Sequence, residues 1–332
     1  MHKPERAARN NVEPPLSSQE LRKWNGREAT AEIPEELQQI SKIDGSATRT
    51  FKFVERLSAA DRARSPVQKT NPGHCPLWVS AAAKPKPAHF APPQQVKHRG
   101  QRLEPNIVWG ADDRRIYNDQ TYPWGCVCRI TNAAGRVGSG AIIGPRHVLT
   151  ASHVVDWSTD RPEKIEVNLT GNVAAATVFD TAAYAFTQIQ GDPSVTTLDE
   201  DYAVLVVNER LGDRFGWLGT KVYDSGWDDD NVWETMGYPT DIAGGTQPIF
   251  EMDKNLDEDE FDLGSGRAMT TSADMKRGQS GSPMFSMWND GIAYAVAVMS
   301  SFGQVYASGD ENWCSGGSDL SRLVRTARDE NP

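Results

Sequence analysis

The stretch Gly278-Gln279-Ser280-Gly281-Ser282-Pro283 lies toward the end of a chain of 332 residues. A serine flanked by glycines is typical of a tight turn, because glycine adopts backbone conformations that other residues rarely adopt. A serine hydroxyl is a poor nucleophile at neutral pH unless a base lies beside it. A reactive serine here would therefore need a base elsewhere in the sequence and a group that orients that base.

Two upstream stretches contain such groups. Leu149-Thr150-Ala151-Ser152-His153-Val154 contains a histidine, whose pKa near neutrality suits a general base. Asp201-Tyr202-Ala203-Val204-Leu205 contains a carboxylate that would fix the histidine tautomer and stabilise the imidazolium. The order His, Asp, Ser excludes subtilisin-like proteases and α/β-hydrolases, whose triads follow other orders. His153, Asp201 and Ser280 are thus predicted to perform nucleophilic acyl transfer.

The turn around Ser280 also predicts where negative charge would be stabilised. Gly278 leaves room for a substrate backbone to approach and leaves its amide free to point at the substrate. The amides of Gly278 and Ser280 are predicted to form the oxyanion hole. Losing one such donor typically slows the reaction by about 100- to 1,000-fold.

Neighbouring residues of the same types are expected to be structural. Asp201 is preferred to the adjacent acids because a small residue and then a strand follow it. The residues assigned to structural roles are His147 on a strand surface, Asp199 and Glu200 solvated in a turn, and Ser282 in support of its own turn.

These motifs resemble those of the chymotrypsin-like serine proteases, and most closely those of their bacterial glutamyl-endopeptidase-like branch. Val108-Trp109-Gly110-Ala111-Asp112-Asp113-Arg114, followed by Tyr122-Pro123, resembles the start of mature enzymes in that branch. Met236-Gly237-Tyr238-Pro239 is similar to a Gly-Tyr-Pro segment found there. The resemblance covers about residues 107–328. It implies an all-β fold of two antiparallel six-stranded barrels, with the active site in the cleft between them.

The residue pattern independently favours such a fold. Short β-rich runs alternate with Gly, Asn and Asp turns after residue 106, as in an antiparallel sandwich or barrel. The clearest runs are Val127 to Ile130, Gly140 to Ile143, Tyr202 to Val207, Val232 to Met236, and Ile292 to Met299. A C-terminal helix capped by Asp319 is predicted, with Leu320, Leu323, Val324 and Ala327 on one face.

Charge divides the chain near residue 106. The formal net charge is −10, but residues 1–106 carry +7 and residues 107–332 carry −17. The negative total argues against a general nucleic-acid binder, and no apolar run is long enough for a membrane-spanning helix. We therefore expect two parts with separate roles, residues 1–106 and a protease domain over 107–332.

The basic N-terminal part is predicted to be weakly ordered. Ser17-Ser18-Gln19-Glu20 predicts a capping box, and Pro34-Glu35-Glu36-Leu37 predicts a second short helix through Ile43. Twelve of the 20 prolines lie here, and Pro66 to Pro93 is interpreted as a linker.

By resemblance, residues 1–106 are expected to be a propeptide, cleaved near Asn106-Ile107, that masks the enzyme or helps it fold. A disordered tail without such a role is the alternative. The resemblance implies export, although the opening residues lack the apolar core of a signal peptide.

Substrate preference is predicted from the resemblance. The wider family places the base of its specificity pocket six residues before the nucleophile, and Asp274 stands there. A buried carboxylate would pair with an Arg or Lys side chain of the substrate. Glutamate-specific members commonly place a histidine on the strand after the nucleophile, where Ser300 is assigned here. These two residues favour cleavage after Arg or Lys, with Asp274 facing away from the pocket as the alternative.

One departure from the family concerns activation. Animal trypsin-like enzymes have an aspartate before the nucleophile, and it pairs with the N-terminal amine freed by cleavage. Gln279 stands at that position and has no charge to form this pair, so activation is expected to differ. Three functions stay open: an active endopeptidase acting on peptides and proteins, an esterase with the same triad, and a silent protease-like protein that binds peptides. Within the first, a Glu-preferring enzyme is the alternative specificity.

The remaining chemistry-bearing residues predict no cofactor and no metal. Four cysteines lack paired Cys-x-x-Cys spacing for zinc. Cys126 and Cys128 alternate on a predicted strand and therefore point to the same face. Either one of them bridges to Cys314 and the other is free, or all are reduced. The acidic run Asp253 to Asp262 is predicted to be a solvated loop rather than a calcium site.

Overall fold

A computed structural model of the chain describes residues 12–38, 48–58, 69–88, 112–258, 266–302 and 312–332. The expected cleavage position near Asn106-Ile107, the end of the predicted second helix and residues 259–262 of the acidic run lie outside this range. Numbered in chain order, its strands are β1 (Thr50–Phe53), β2 (Thr70–Asn71), β3 (Arg115–Ile116), β4 (Val127–Thr131), β5 (Val137–Gly144), β6 (His147–Thr150), β7 (Lys164–Val167), β8 (Ala176–Ala185), β9 (Ala203–Val207), β10 (Gly219–Lys221), β11 (Trp233–Gly237), β12 (Ile249–Lys254), β13 (Asp257–Glu258), β14 (Gly266–Thr271), β15 (Pro283–Met287), β16 (Ala293–Phe302) and β17 (Asn312–Gly317).

Helices are short except at the C-terminus. They are α1 (Ser18–Lys23), α2 (Glu35–Gln38), α3 (Leu211–Phe215) and α4 (Ser318–Glu330). The capping box predicted at Ser17 is present, with Glu20 as its reciprocal partner. Helix α4 does bury Leu320, Leu323, Val324 and Ala327. Its N-cap is Gly317 rather than Asp319, which lies in the first turn and pairs with Arg322 instead.

The first sheet contains the closed six-stranded barrel that the resemblance implied. Strands follow the order β1-β8-β7-β4-β5-β6-β9, and pairing between β8 and β9 closes strands β4 to β9 on themselves. Every residue of β9 is buried, because one face lines the barrel and helix α4 contacts the strand from outside. The strand is accordingly an unbroken apolar run, Ala203-Val204-Leu205-Val206-Val207.

The second sheet is a curled half-barrel and not a second closed six-stranded barrel. Its main path is β13-β14-β17-β16-β15-β11-β12-β3, with β10 joining β16 and β2 joining β10. The sheet has ten strands, and among the described residues its end strands β13 and β3 do not pair with each other. The two-barrel, mostly β fold is otherwise confirmed.

Aromatic packing fills the half-barrel. Trp227, Trp233 and Trp288 contact one another with ring centroids 5.8 to 6.3 Å apart, and Tyr223 and Tyr294 pack at the edges of this group. Large buried rings contribute about 0.5 to 1.5 kcal/mol per pair beyond their burial. Trp233 and Tyr294 of this cluster lie on β11 and β16, the two strands that pair with β15, which follows Ser280.

The described parts of the N-terminal segment are ordered, contrary to expectation. Strand β1 pairs in parallel with β8 of the barrel, and β2 pairs with β10 of the half-barrel. Asn71 is 2% exposed and donates to Thr220 and to the Ser321 carbonyl. Proline composition predicted a linker here, but the segment follows the surfaces of both sheets and gains its order from pairing with them.

All four cysteines are buried and free in the structure. The bridge from Cys126 or Cys128 to Cys314 is therefore not formed. Burial raises the pKa of the Cys75 thiol to about 11, so it stays protonated at neutral pH. Among the described helices, none is both long and apolar enough to cross a membrane.

Candidate active site

The barrel brings His153 and Asp201 into direct contact. His153 lies in a short 3-10 helix after β6, and Asp201 lies two residues before β9, the strand paired with β6. His153 Nδ1 is 2.6 Å from Asp201 Oδ2, and the His153 backbone amide donates to Asp201 Oδ1 over 2.9 Å. Two hydrogen bonds to one carboxylate fix the ring and leave Nε2 as the outward nitrogen.

Opposing influences set the ionisation of this pair. Burial alone lowers the pKa of His153, but the charge of Asp201 and its hydrogen bond outweigh burial and raise that pKa. Burial raises the pKa of Asp201, but His153 and the surrounding hydrogen bonds hold it below its ordinary value. The pair is therefore suited to an ionised Asp201 beside a histidine that accepts a proton readily.

Ser280 lies on the turn between β14 and β15, half-buried, and its backbone reaches the other barrel. The Ser280 carbonyl accepts a hydrogen bond from the Ser139 amide of β5 over 2.8 Å. Gly281 packs so closely on Ser139 and Thr150 that a Cβ atom would lie 2.2 Å from the Ser139 carbonyl oxygen. The nucleophile turn is thus seated against the strand that leads to His153.

The backbone amides of Gly278 and Ser280 are oriented by the carbonyls that precede them, which are held by hydrogen bonds. The Arg277 carbonyl accepts from the Thr240 amide at 2.7 Å and from its hydroxyl at 3.0 Å. The Gln279 carbonyl accepts from the Ser282 amide at 2.9 Å. In a trans peptide the N–H points opposite the C=O, so the amides of Gly278 and Ser280 point away from these contacts. Within the described part of the chain, neither amide donates a hydrogen bond.

Gly278 requires its lack of a side chain. Its φ is +95°, and a Cβ atom would lie 2.3 Å from the Tyr238 carbonyl oxygen. Its own carbonyl accepts from the Ser139 hydroxyl at 2.6 Å, and that hydroxyl accepts from the Tyr238 amide at 2.8 Å. Ser139 therefore joins the two barrels at this turn, a role that no local motif in its strand signals.

No hydrogen bond joins the Ser280 hydroxyl to the His153 ring among the described residues. Catalytic hydrogen bonds are often long or poorly aligned before substrate binds. The two side chains come from opposite barrels that the Ser139–Ser280 backbone bond holds together.

Ser300 has a position that sequence reasoning did not foresee. It lies on β16, is 2% exposed, and its hydroxyl donates to Asp201 Oδ2. The residue assigned to the specificity pocket thus uses its hydroxyl on the carboxylate of the His–Asp pair. This contact also links the half-barrel to the barrel through Asp201.

Asp274 is 1% exposed and belongs to an acidic group. Its ligand oxygen and those of Asp113 and Glu251 all lie within 4.8 Å of one another. Lys254 Nζ lies 2.8 Å from Asp113 and 2.9 Å from Glu251. Burial raises the pKa of Glu251 to about 8 against the opposing charge of Lys254. An ammonium group already serves this cluster, which we therefore interpret as an ion-pair network.

Three residues assigned to structural roles are more buried than predicted. His147 is fully buried rather than on a strand surface, and its Nε2 lies 3.0 Å from the Ala327 carbonyl of α4. Burial lowers its pKa to about 4, so it stays neutral. Asp199 and Glu200 are 8% and 5% exposed rather than solvated. Glu200 pairs with Arg56, whose position in the N-terminal segment no local pattern revealed.

The chain is similar in sequence or in fold to several known proteins. Residues 138–293 match the family model for the trypsin-like peptidase domain. The protein named Extracellular metalloprotease from Bacillus subtilis (strain 168) is 24% identical over 217 residues, covering 63% of this chain and 67% of that protein. A solved Glu endopeptidase in complex with MPD has a TM-score of 0.54 at 19% identity, covering 67% of this chain and 100% of that one. Protease Anisep from Arthrobacter nicotinovorans has a TM-score of 0.48 at 19% identity, covering 62% of this chain and 96% of that one.

The family match spans the turn that carries Ser280 and the stretches that carry His153 and Asp201. At 19% identity, the likeness to the solved Glu endopeptidase supports the fold, and the family model supports the activity. The chain contains a trypsin-like peptidase domain, matched over residues 138–293, and is a serine endopeptidase.

Proposed function

We propose that His153, Asp201 and Ser280 are the catalytic triad and that peptide hydrolysis proceeds through an acyl-enzyme. The observation that carries the proposal is the 2.6 Å contact between His153 Nδ1 and Asp201 in the cleft that the Ser280 turn also enters. The outward nitrogen of His153 and the exposed side of Ser280 are the groups left to react.

Each proton has an assigned place. Ser280 Oγ bonds to the scissile carbonyl carbon while its proton moves to His153 Nε2. The tetrahedral intermediate collapses, the C–N bond breaks, and His153 returns the proton to the leaving amine. Water then repeats the sequence on the ester and regenerates Ser280. Asp201 stays ionised throughout and stabilises the imidazolium.

The Gly278 and Ser280 amides are proposed as the oxyanion hole. Support comes from the anchored carbonyls of Arg277 and Gln279, which turn both N–H groups away from the protein contacts. Preorganised donors of this kind act where charge develops in the transition state.

An organophosphorus serine reagent tests the triad. We expect one phosphoryl group per chain, mapped to Ser280 by mass spectrometry, and no labelling of Ser280→Ala. A folded chain with its N-terminal segment removed that still resists the reagent would favour a silent peptide-binding protein. Parallel peptide and ester panels separate proteolysis from esterase activity.

For specificity we propose cleavage after Arg or Lys. Support comes from the buried Asp274 carboxylate, which lies beside the Asp113 and Glu251 carboxylates that pair with Lys254. The alternative, cleavage after Glu, is motivated by the likeness to a solved protein named as a Glu endopeptidase. Cleavage-site profiling on a peptide library separates them. Preferred cleavage after Glu, unchanged in Asp274→Asn, would refute the Asp274 assignment.

We further propose that residues 1–106 are a pro-segment that helps the protease domain fold. Arg49 supplies the support: its side chain is fully buried, 2.6 Å from Glu163 and 3.4 Å from Asp180 of the barrel. Burial raises the pKa of Asp180 to about 7 despite the opposing charge of Arg49. A chain without Arg49 would bury two carboxylates with no cation from this segment.

Refolding of the full chain and of a chain starting at Ile107 tests this role. We expect a lower yield of active protein from the shorter chain, restored by adding residues 1–106 as a separate fragment. Equal refolding and equal activity of the two chains would refute it. Export from the cell is proposed on the relative named as extracellular, and assay of the culture medium and cell fractions would test it.

A further inference from the structure

Gln279, the residue before Ser280, is completely buried, and both polar atoms of its carboxamide are hydrogen-bonded. Its Nε2 donates to the Asp274 carbonyl at 3.0 Å. Its Oε1 accepts from the Lys276 amide at 2.9 Å and from Arg114 Nη1 at 3.2 Å. The side chain therefore closes the turn that runs from Asp274 to Ser280 on itself. A neutral amide with this many partners needs no ion pair of its own.

Arg114 is the cation at this turn. Its side chain is 1% exposed and pairs with Asp112 at 2.8 Å and with Asp241 at 2.7 Å. Burial lowers the pKa of the Arg114 guanidinium, but the two carboxylates outweigh burial and raise it. Five donors in a planar fork let one guanidinium hold two carboxylates and an amide oxygen together, which a lysine ammonium matches poorly.

Asp241 connects this cation to the other side of the proposed oxyanion hole. It follows Thr240, whose amide and hydroxyl anchor the Arg277 carbonyl, and thereby orient the Gly278 amide. Arg114 thus contacts both supports of the turn: Gln279 directly, and the Thr240 loop through Asp241. Movement of either support would turn a donor away from the oxyanion.

We propose that Arg114 is a positioning residue that holds the Gly278 and Ser280 amides in their productive orientation. In animal trypsin-like enzymes, the cation beside the residue before the nucleophile is the N-terminal amine freed by cleavage. Here Arg114 of the same chain is the cation beside Gln279, so ordering of this turn requires no newly freed amine. The inference rests on the proposed role of Ser280. It predicts that loss of Arg114 slows attack by Ser280 without weakening reagent binding.

The test measures how the full-length chain reacts with an organophosphorus reagent, separating the binding constant from the first-order rate of phosphorylation. For Arg114→Gln we expect that rate to fall by about 100-fold, the effect of losing one oxyanion donor, with binding unchanged. Arg114→Lys keeps a charge between the two aspartates but loses the fork, and we expect about a tenfold fall. Arg210→Gln, which removes an exposed pair with Asp213, is the matched control and should react at the wild-type rate.

Thermal unfolding of each variant separates misfolding from misplacement. If Arg114→Gln does not fold, Arg114→Lys decides, and a folded lysine variant that reacts as fast as wild type overturns the inference. A wild-type chain labelled on Ser280 together with an equally reactive, folded Arg114→Gln chain refutes the role of Arg114 alone. A wild-type chain that is never labelled on Ser280 refutes the proposed triad and this inference with it.

Discussion

The closed barrel and the half-barrel contribute to the site in different ways. The barrel holds His153 and Asp201 by direct hydrogen bonds between neighbouring elements of one sheet. The half-barrel presents Ser280 on a turn whose shape depends on Gln279, on Ser139 of the other barrel and on a buried arginine. The contact between His153 and Asp201 is thus formed within one sheet, with Ser300 added from the other, whereas the Ser280 turn is positioned mainly by contacts across sheets.

This difference teaches where each half is vulnerable. Strand pairing between β6 and β9 brings His153 and Asp201 together, so the pair survives wherever the barrel folds. The Ser280 turn is joined to strands β5 and β16 by single backbone hydrogen bonds at Ser280 and Gly281, and its shape depends further on the side chains of Gln279, Ser139 and Arg114. Changes to the side chains that contact the Ser280 turn should alter the rate of reaction, whereas changes to the contacts between the N-terminal segment and the barrel should alter the free energy of unfolding.

The largest expected effect breaks the nucleophile side alone. On the proposed mechanism, Ser280→Ala removes the attacking oxygen, and kcat should fall by about 10⁶-fold while unfolding is unchanged. Ser282→Ala is the matched control, since Ser282 lies two residues away in the same motif and is buried. Steady-state peptide hydrolysis measures both, and loss of activity only in Ser282→Ala would reverse the assignment.

The next effect breaks the base side. Asp201→Asn should lower kcat by about 10⁴-fold, because the amide no longer fixes the His153 tautomer. In wild type, activity requires neutral His153, so kcat/KM should be lost as the pH falls through a pKa above the ordinary histidine value. Without the Asp201 charge that pKa drops, and the acid limb of residual activity should move to lower pH.

A pH–rate profile of both proteins measures this shift. Asp199→Asn, at a buried acid two residues before Asp201, is the control and should keep the wild-type acid limb. An unmoved limb in Asp201→Asn would show that this carboxylate does not set the ionisation of His153.

A third change tests how much the buried ion pairs between Arg49 and the barrel contribute to the free energy of unfolding. Arg49→Met should cost about 3 to 5 kcal/mol in the free energy of unfolding, because it leaves Glu163 and Asp180 buried without their guanidinium. Arg56→Met, at an exposed arginine on the same segment, should cost no more than about 1 kcal/mol. Denaturant unfolding of the full chain gives both values. Equal losses would show that Arg49 acts as a surface residue.

The smallest expected effect concerns the hydrogen bond from Ser300 of the half-barrel to Asp201 of the barrel. Ser300→Ala removes the hydroxyl that donates to Asp201, a hydrogen bond to a charged group worth about 1.5 to 3 kcal/mol. If it steadies the ionised carboxylate in the transition state, kcat should fall by about 10- to 100-fold with KM unchanged. Ser286→Ala, at a buried serine on the preceding strand, is the control. An unchanged kcat in Ser300→Ala would limit this contact to packing.

The candidate triad could be predicted from the sequence because the motifs that suggest it are local. A histidine, a carboxylate and a serine in a Gly-Gln-Ser-Gly turn are recognisable from a few adjacent residues, and β-rich runs predicted β4, β5, β9, β11 and β16. Contacts between residues far apart in sequence could not be predicted in this way. The Ser300 hydroxyl on Asp201 joins residues 99 positions apart, and the Arg114–Gln279 bond joins residues 165 apart.

The order of the N-terminal segment also depends on contacts with residues far away in sequence. Its prolines and charges correctly describe a chain that cannot build a core alone, and they predicted little order. Pairing of β1 and β2 with existing sheets, and the burial of Arg49, supply order from outside the segment.

The sequence by itself predicted the His–Asp–Ser chemistry and the two-barrel fold, and it contains the charge division near residue 106. Short-range patterns sufficed, since residue types at fixed spacing define both strands and reactive groups. The tertiary structure alone decided that the second barrel stays open, that Asp319 does not cap its helix, and that Arg114 underlies the Ser280 turn. These depend on which distant surfaces meet and which buried charges must find a partner, and no local pattern contains that information.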